Sequence, residues 1–189
     1  MYRQKLRHIG FLLCGMLAVA GSAGAQVISM SFEEMVAAAD TIVVAEAIDS
    51  RAEWVTTAGH RNIVTRVTFR VTETFKGIGR ILLPLEFVGG TVGNEQQHVS
   101  GVPTFQLGDR AVLFVSGTRS ISPVVGHNQG RFPINVAPDG TEYVTLPNRR
   151  AFSAVSQIAA PVTVSPEAIP TMTLAAFRDE VGRLLPEQQ

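Results

Sequence analysis

A mainly β fold, a small and partly open barrel or sandwich with a short helix at each end, is predicted by three features of the sequence. Residues 63–75 alternate apolar and polar side chains with period two. Residues 41–48 and 110–115 are β-branched or apolar runs of strand length, and glycine-bearing turns separate these segments. Helical spacing occurs in only two stretches, near the start and at the end. Short strands broken by turns, with few helices, point to a sheet that must cover its own apolar face.

The elements follow in order. Ser31 and Glu34 form a capping-box pattern, and Phe32, Met35, Val36 and Ala39 then share a helical face that ends at Asp40. Residues 41–48 read as a largely buried strand. Residues 51–61 are polar, contain Gly59 and read as a hairpin loop or splayed strand end. In the next strand Ile63, Thr65, Val67, Phe69, Val71 and Phe75 face a core, while Arg66, Thr68, Arg70, Thr72, Thr74 and Lys76 face water. Gly77 and Gly79 close it. Residues 81–88 form a third strand with Ile81, Leu83, Leu85 and Phe87 inward, and Pro84 assigns it an exposed edge or a bulge.

Residues 89–104 form a long loop with four glycines, Pro103 and the polar run Asn94, Glu95, Gln96, Gln97 and His98. Such length in a compact domain marks a candidate binding loop. Residues 105–109 turn into 110–115, a central strand buried on both faces. Residues 121–125 and 130–136 are weaker strands, and Pro138-Asp139-Gly140 is a turn before 141–146. Residues 147–171, rich in Pro, Ala, Ser and Thr, read as a surface linker. In the last helix Thr173 is the cap, Leu174, Phe177, Val181 and Leu184 share a face, and Pro186 is the stop.

Residues 1–25 have the pattern of an export signal: Arg3, Lys5 and Arg7 in a cationic head, an apolar run over 9–20, and Ala23-Gly24-Ala25 before Gln26. The run is too short to span a bilayer. The only cysteine, Cys14, leaves with it. The organisation expected is a signal peptide at 1–25, a barrel domain at 26–146, the surface segment at 147–171 and the C-terminal helix at 172–186. The mature chain is then periplasmic or secreted, has no cysteine and carries no membrane anchor. The whole sequence has 16 basic and 16 acidic residues; removing Arg3, Lys5 and Arg7 leaves 13 against 16, a net charge of −3. That balance gives no basic footprint for nucleic acid.

Motifs that carry chemistry are sparse. His60, His98 and His127 lie far apart without metal-ligand spacing, so no metal or cofactor is expected. Residues 89–93 are glycine-rich, but no helix follows to cradle a phosphate. Ser100 and Ser116 lack the glycine elbow of a serine nucleophile. Glu46, Glu53, Glu73 and Glu86 read as surface charge, and Trp54 with Phe105 as packing aromatics. Arg66, Arg70 and Lys76 form a candidate cationic face whose plain meaning is a solvated strand surface.

Three segments carry a resemblance. Residues 38–45 (AADTIVVA), 67–77 (VTFRVTETFKG) and 105–114 (FQLGDRAVLF) resemble the first helix and strand, the second strand and a later strand of netrin-like modules, the OB-type barrels of tissue inhibitors of metalloproteinases. Residues 126–132 (GHNQGRF) resemble a G-x-x-Q-G-K/R-F segment of cysteine-free exported bacterial domains that accompany matrixin-type metalloproteases. The resemblance covers roughly residues 31–136 and implies an OB-like, partly open β-barrel. The inhibitors act through an N-terminal cysteine on the catalytic zinc, and a mature chain without cysteine cannot do so. The function expected is a non-enzymatic exported module that binds a protein or peptide. The alternatives are an accessory or inhibitor of an exported metalloprotease, and a hydrolase of unrecognised type. The oligomeric state is not legible.

Overall fold

The computed structural model describes residues 29–57, 59–117, 120–159 and 171–186. The expected export signal at 1–25 and residues 160–170 of the expected linker lie outside the described residues.

Helix α1 (Phe32–Ala38) starts as its capping box requires: the Glu34 N–H donates to the Ser31 hydroxyl (3.2 Å), and the Ser31 N–H donates to the Glu34 carboxylate (2.7 Å). It buries Phe32, Met35 and Val36. Strands β1 (Thr41–Thr57) and β2 (His60–Lys76) form one long antiparallel ribbon, paired from Ile42 with Lys76 to Thr57 with His60. Residues 51–61 are therefore strand on both sides of a tight turn at Gly59, where the sequence predicts a loop or splayed end. Their polarity conceals the ladder, because its cross-strand pairs are polar too: Glu53 meets Arg66, and Arg61 lies 4.0 Å over the ring of Trp54.

Beyond β1–β2 come β3 (Leu82–Val88), β4 (Gly90–Val92), β5 (Glu95–Gln97), β6 (Arg110–Val115), β7 (Arg131–Val136) and β8 (Glu142–Val144). A one-turn 3₁₀ helix (Val155–Gln157) and helix α2 (Leu174–Leu184) follow. Six strands make one antiparallel sheet in the order β3-β2-β1-β6-β7-β8, and β4 pairs with β5 alone. The sheet curls without closing, as a partly open barrel flanked by helices. Across the opening, the Val88 N–H donates to the Ile121 carbonyl (2.9 Å). Pro84 stands on the edge strand, where its missing donor costs no ladder bond.

Both faces of the central strands are buried. Val43, Ala45, Leu113, Val67, Phe69, Leu85 and Phe87 form a core inside the curl. Ile42, Val44, Val112 and Phe114 point the other way, under the helices. There Phe32, Phe114, Phe132, Phe152 and Phe177 meet with ring centroids 4.9–6.3 Å apart at inclined angles, the arrangement that aromatic quadrupoles favour. Thr173 caps α2 by accepting from the Ala176 N–H, and Leu174, Phe177 and Val181 face this core. Leu184, expected on the same face, is exposed, and Leu185 beyond the helix end packs there instead.

Four further sequence expectations need correction. The alternation of β2 does not run through to Phe75, because the register steps past Ile48, Thr72 and Phe75. Each such bulge reverses which face the next side chain meets. Val71 therefore packs against the inner core and Phe75 against the helix-side core. Ile81 lies outside β3 and is exposed. Residues 121–125 contribute one bridge, Val115 with Val124, in place of a strand. Phe152, in the segment read as a surface linker, is fully buried in the helix-side core.

Candidate functional site

At one end of the curl the chain from Gly89 to Phe105 folds back over the sheet and encloses a cleft of about 320 Å³. Val67, Phe87, Val102 and Phe105 give it an apolar floor, and Ser50, Thr65, Thr91, His98 and Thr104 give it a polar rim. Phe105 is fixed from below: its ring meets Phe69 at 4.9 Å and Phe87 at 5.2 Å.

The predicted loop 89–104 is not structureless. Its first half is the β4–β5 hairpin, paired Gly90 with Gln97, Thr91 with Gln96 and Val92 with Glu95, and turning at Gly93-Asn94. The hairpin is docked where β3 ends and β2 continues. There Ile63 would be left with an unpaired N–H and C=O. The Gly89 N–H donates to the Ile63 carbonyl (2.7 Å), and the Ile63 N–H donates to the Gln97 side-chain oxygen (2.7 Å). Gln97 also donates to Asn62 (3.2 Å), and the Thr65 hydroxyl donates to the Gly89 carbonyl (2.6 Å). Gly90 permits this close approach: its φ is +135°, and a Cβ there would lie 2.2 Å from the Thr65 hydroxyl.

The candidate loop residues thus divide. Gln97 is half-buried and structural, an anchor for the cleft wall. Asn94, Glu95 and Gln96 are exposed on the hairpin away from the cleft lining, and His98 is on the cleft rim.

The candidate cationic face is charge-balanced. Arg66 is paired with Glu53 and, at 2.6 Å, with Glu86. The hydrogen bond to Glu86 and then the charge of Glu53 hold its guanidinium above its ordinary basicity. Arg70 reaches Glu46 at 3.3 Å, and Lys76 donates to the Val36 carbonyl at the end of α1 (2.8 Å). The bulges turn Lys76 away from the other two, so the stripe is not one surface. The four glutamates read as surface charge are each ion-paired: Glu46, Glu53 and Glu86 to these arginines, and Glu73 to Arg178 (2.6 Å). Trp54 lies on the ribbon under Arg61, outside the cleft that Phe105 lines.

His127 lies in a turn with φ +64°, and Ser122 donates to its carbonyl (2.6 Å). In the same turn Gly130 packs against β6, where a Cβ would meet the Phe114 Cβ at 2.9 Å. Among the described residues no three His, Cys, Asp or Glu gather as a metal set. Arg131 is the residue that sequence reasoning missed. Its guanidinium lies 4.6 Å over Phe105, donates to the Thr104 carbonyl (3.1 Å) and faces Asp109 at 3.5 Å. Its place beside an aromatic in a Gly-Arg-Phe run is a signal only once 105 and 131 are known to be neighbours.

Comparison with family models, with curated proteins and with solved structures finds no match to this chain.

Proposed function

We propose that this protein is a non-enzymatic module, exported by the signal pattern of residues 1–25, that binds a peptide or an extended segment of a partner protein in the cleft between the 89–105 segment and the sheet. The observation that carries this reading is the built cleft wall. The hairpin is anchored through Gln97 and Gly89 to Ile63, the β2 residue just before the first one paired with β3, and it roofs an apolar hollow at the edge of the inner core. A cleft of this size is at the small end of ligand pockets. It suits one or two apolar side chains of a polypeptide, with hydroxyl and backbone groups on the rim to fix the main chain. The resemblance to netrin-like modules makes an exported metalloprotease the first protein partner to assay.

Panning a random peptide library on the mature chain tests this reading. Peptides are expected to enrich on the wild type and to lose binding to Val102→Glu, whose carboxylate would stand on the cleft floor, while its circular dichroism stays unchanged. Enriched peptides that bind the variant equally well, or no enrichment above bare support, would overturn it. The metalloprotease arm reads peptidase activity with and without the mature chain; unchanged activity removes that class of partner.

A further inference from the structure

Behind the Phe105 wall lies a second hollow, of about 620 Å³, which shares Thr104 with the cleft. Arg110, Arg131 and Arg149 line it together with Asp109 and Asn135. We infer that this hollow binds a carboxylate, and that the ligand of the cleft carries an acidic group beside its apolar anchor. The second half of this inference rests on the cleft reading; the first does not.

The argument is one of charge and desolvation. Arg110 is neutralised by Glu142, and Arg131 shares Asp109 at 3.5 Å, longer than a charge-assisted hydrogen bond. Arg149 has no carboxylate within ion-pairing reach among the described residues. Three guanidiniums therefore meet two carboxylates, and one positive charge is left over. That surplus matches a monoanion and falls short of a phosphate dianion. Arg131 has a side-chain exposure of only 18%, and its Nε–H is enclosed with no acceptor. Burial holds its basicity below the ordinary value; the charge of Asp109 works the other way, and that of Arg149 adds to the lowering. A carboxylate oxygen between Arg131 and Arg149 would relieve both the burial and the mutual repulsion, and the planar guanidinium fork suits it.

Arg149 is also held in the left-handed region, at φ +65°, where a β-carbon is strained. The turn is closed by the Arg149 N–H to Leu146 (2.8 Å) and the Leu146 N–H to Arg150 (3.0 Å). Glycine would occupy this position without strain, so stability alone does not account for an arginine there.

Titration of the mature chain followed by NMR of its arginine Nε–H groups tests the site with five probes. Sodium acetate is expected to shift Arg131 and Arg149 saturably. Arg149→Gly should weaken acetate about tenfold, the loss of one charge-assisted contact, while melting at an equal or higher temperature. Arg149→Lys should retain most of the binding. No saturable shift with acetate, equal affinity in Arg149→Gly, or tighter binding of inorganic phosphate dianion than of acetate would overturn the carboxylate site. N-acetyl-leucinamide tests the cleft by itself: if it leaves Val102 and Phe105 unmoved while acetate binds, the cleft reading fails and the carboxylate site stands. N-acetyl-Leu-Asp-amide against N-acetyl-Leu-Gly with a free terminus then tells a side-chain carboxylate from a chain terminus; affinity no better than acetate for both would overturn the link between the two hollows.

Discussion

Ile63 is fully buried, yet its N–H points past the last residue of β3, and the only acceptor it has is the side chain of Gln97. Leaving a buried donor unpaired costs about 1–3 kcal/mol. Gln97→Ala is therefore expected to lose that much in urea unfolding, and a loss under about 0.5 kcal/mol would show that water replaces the amide. Phe69 is a different case, in which packing alone decides. It has no exposed surface and touches Phe105. Phe69→Ala should cost about 3–5 kcal/mol, whereas Thr68→Ala, on the opposite face against Pro84, should stay within about 0.5 kcal/mol. Equal losses would contradict the register. The two positions separate what alternation reveals, the side of a strand, from what it conceals, the side chain that completes a neighbour's backbone.

The β4–β5 hairpin is the element on which the proposed function turns. Three paired positions would not hold a free hairpin in water, so its docking onto β2 supplies its stability. Gly90→Ala places a methyl group against the Thr65 hydroxyl at a φ that disfavours any β-carbon. A loss of about 2–3 kcal/mol is expected. Faster amide exchange at Ile63 and Gly89, with protection in β6 kept, would show that the hairpin has come away from an intact sheet; unaltered exchange at Ile63 would mean that it is not anchored there. The sequence marks this segment by its length and glycines but hides the hairpin, because Glu95, Gln96 and Gln97 give no strand pattern. A three-residue strand has too few side chains to show one.

For the molecule as a whole, the two cores share their walls. Val43 and Leu113 face the inner core, while Val44 and Val112, their chain neighbours, face the helix-side core. Neither core can open without exposing the other side of β1 and β6. The fluorescence of Trp54, the only tryptophan, and the far-UV circular dichroism should then follow one transition. Phe69→Ala in one core and Phe177→Ala in the other should each move both probes together; separate midpoints would show two independent units. The sequence by itself determined the mainly β class, the capping box of α1, the double burial of β6, an edge or a bulge at Pro84, and the inward packing of Leu174, Phe177 and Val181 in α2. All of these follow from local period, cap chemistry or a missing donor. The tertiary structure alone decided that residues 51–57 and 60–61 are strand, that bulges set Val71 and Phe75 against different cores, and that Arg66 and Arg70 are neutralised. It also decided that Phe152 is core, that Gln97 is an anchor, and that Arg131 and Arg149 share a hollow. Each of these depends on which residues meet across the sheet, and a contact between distant positions leaves no trace in the spacing of either one.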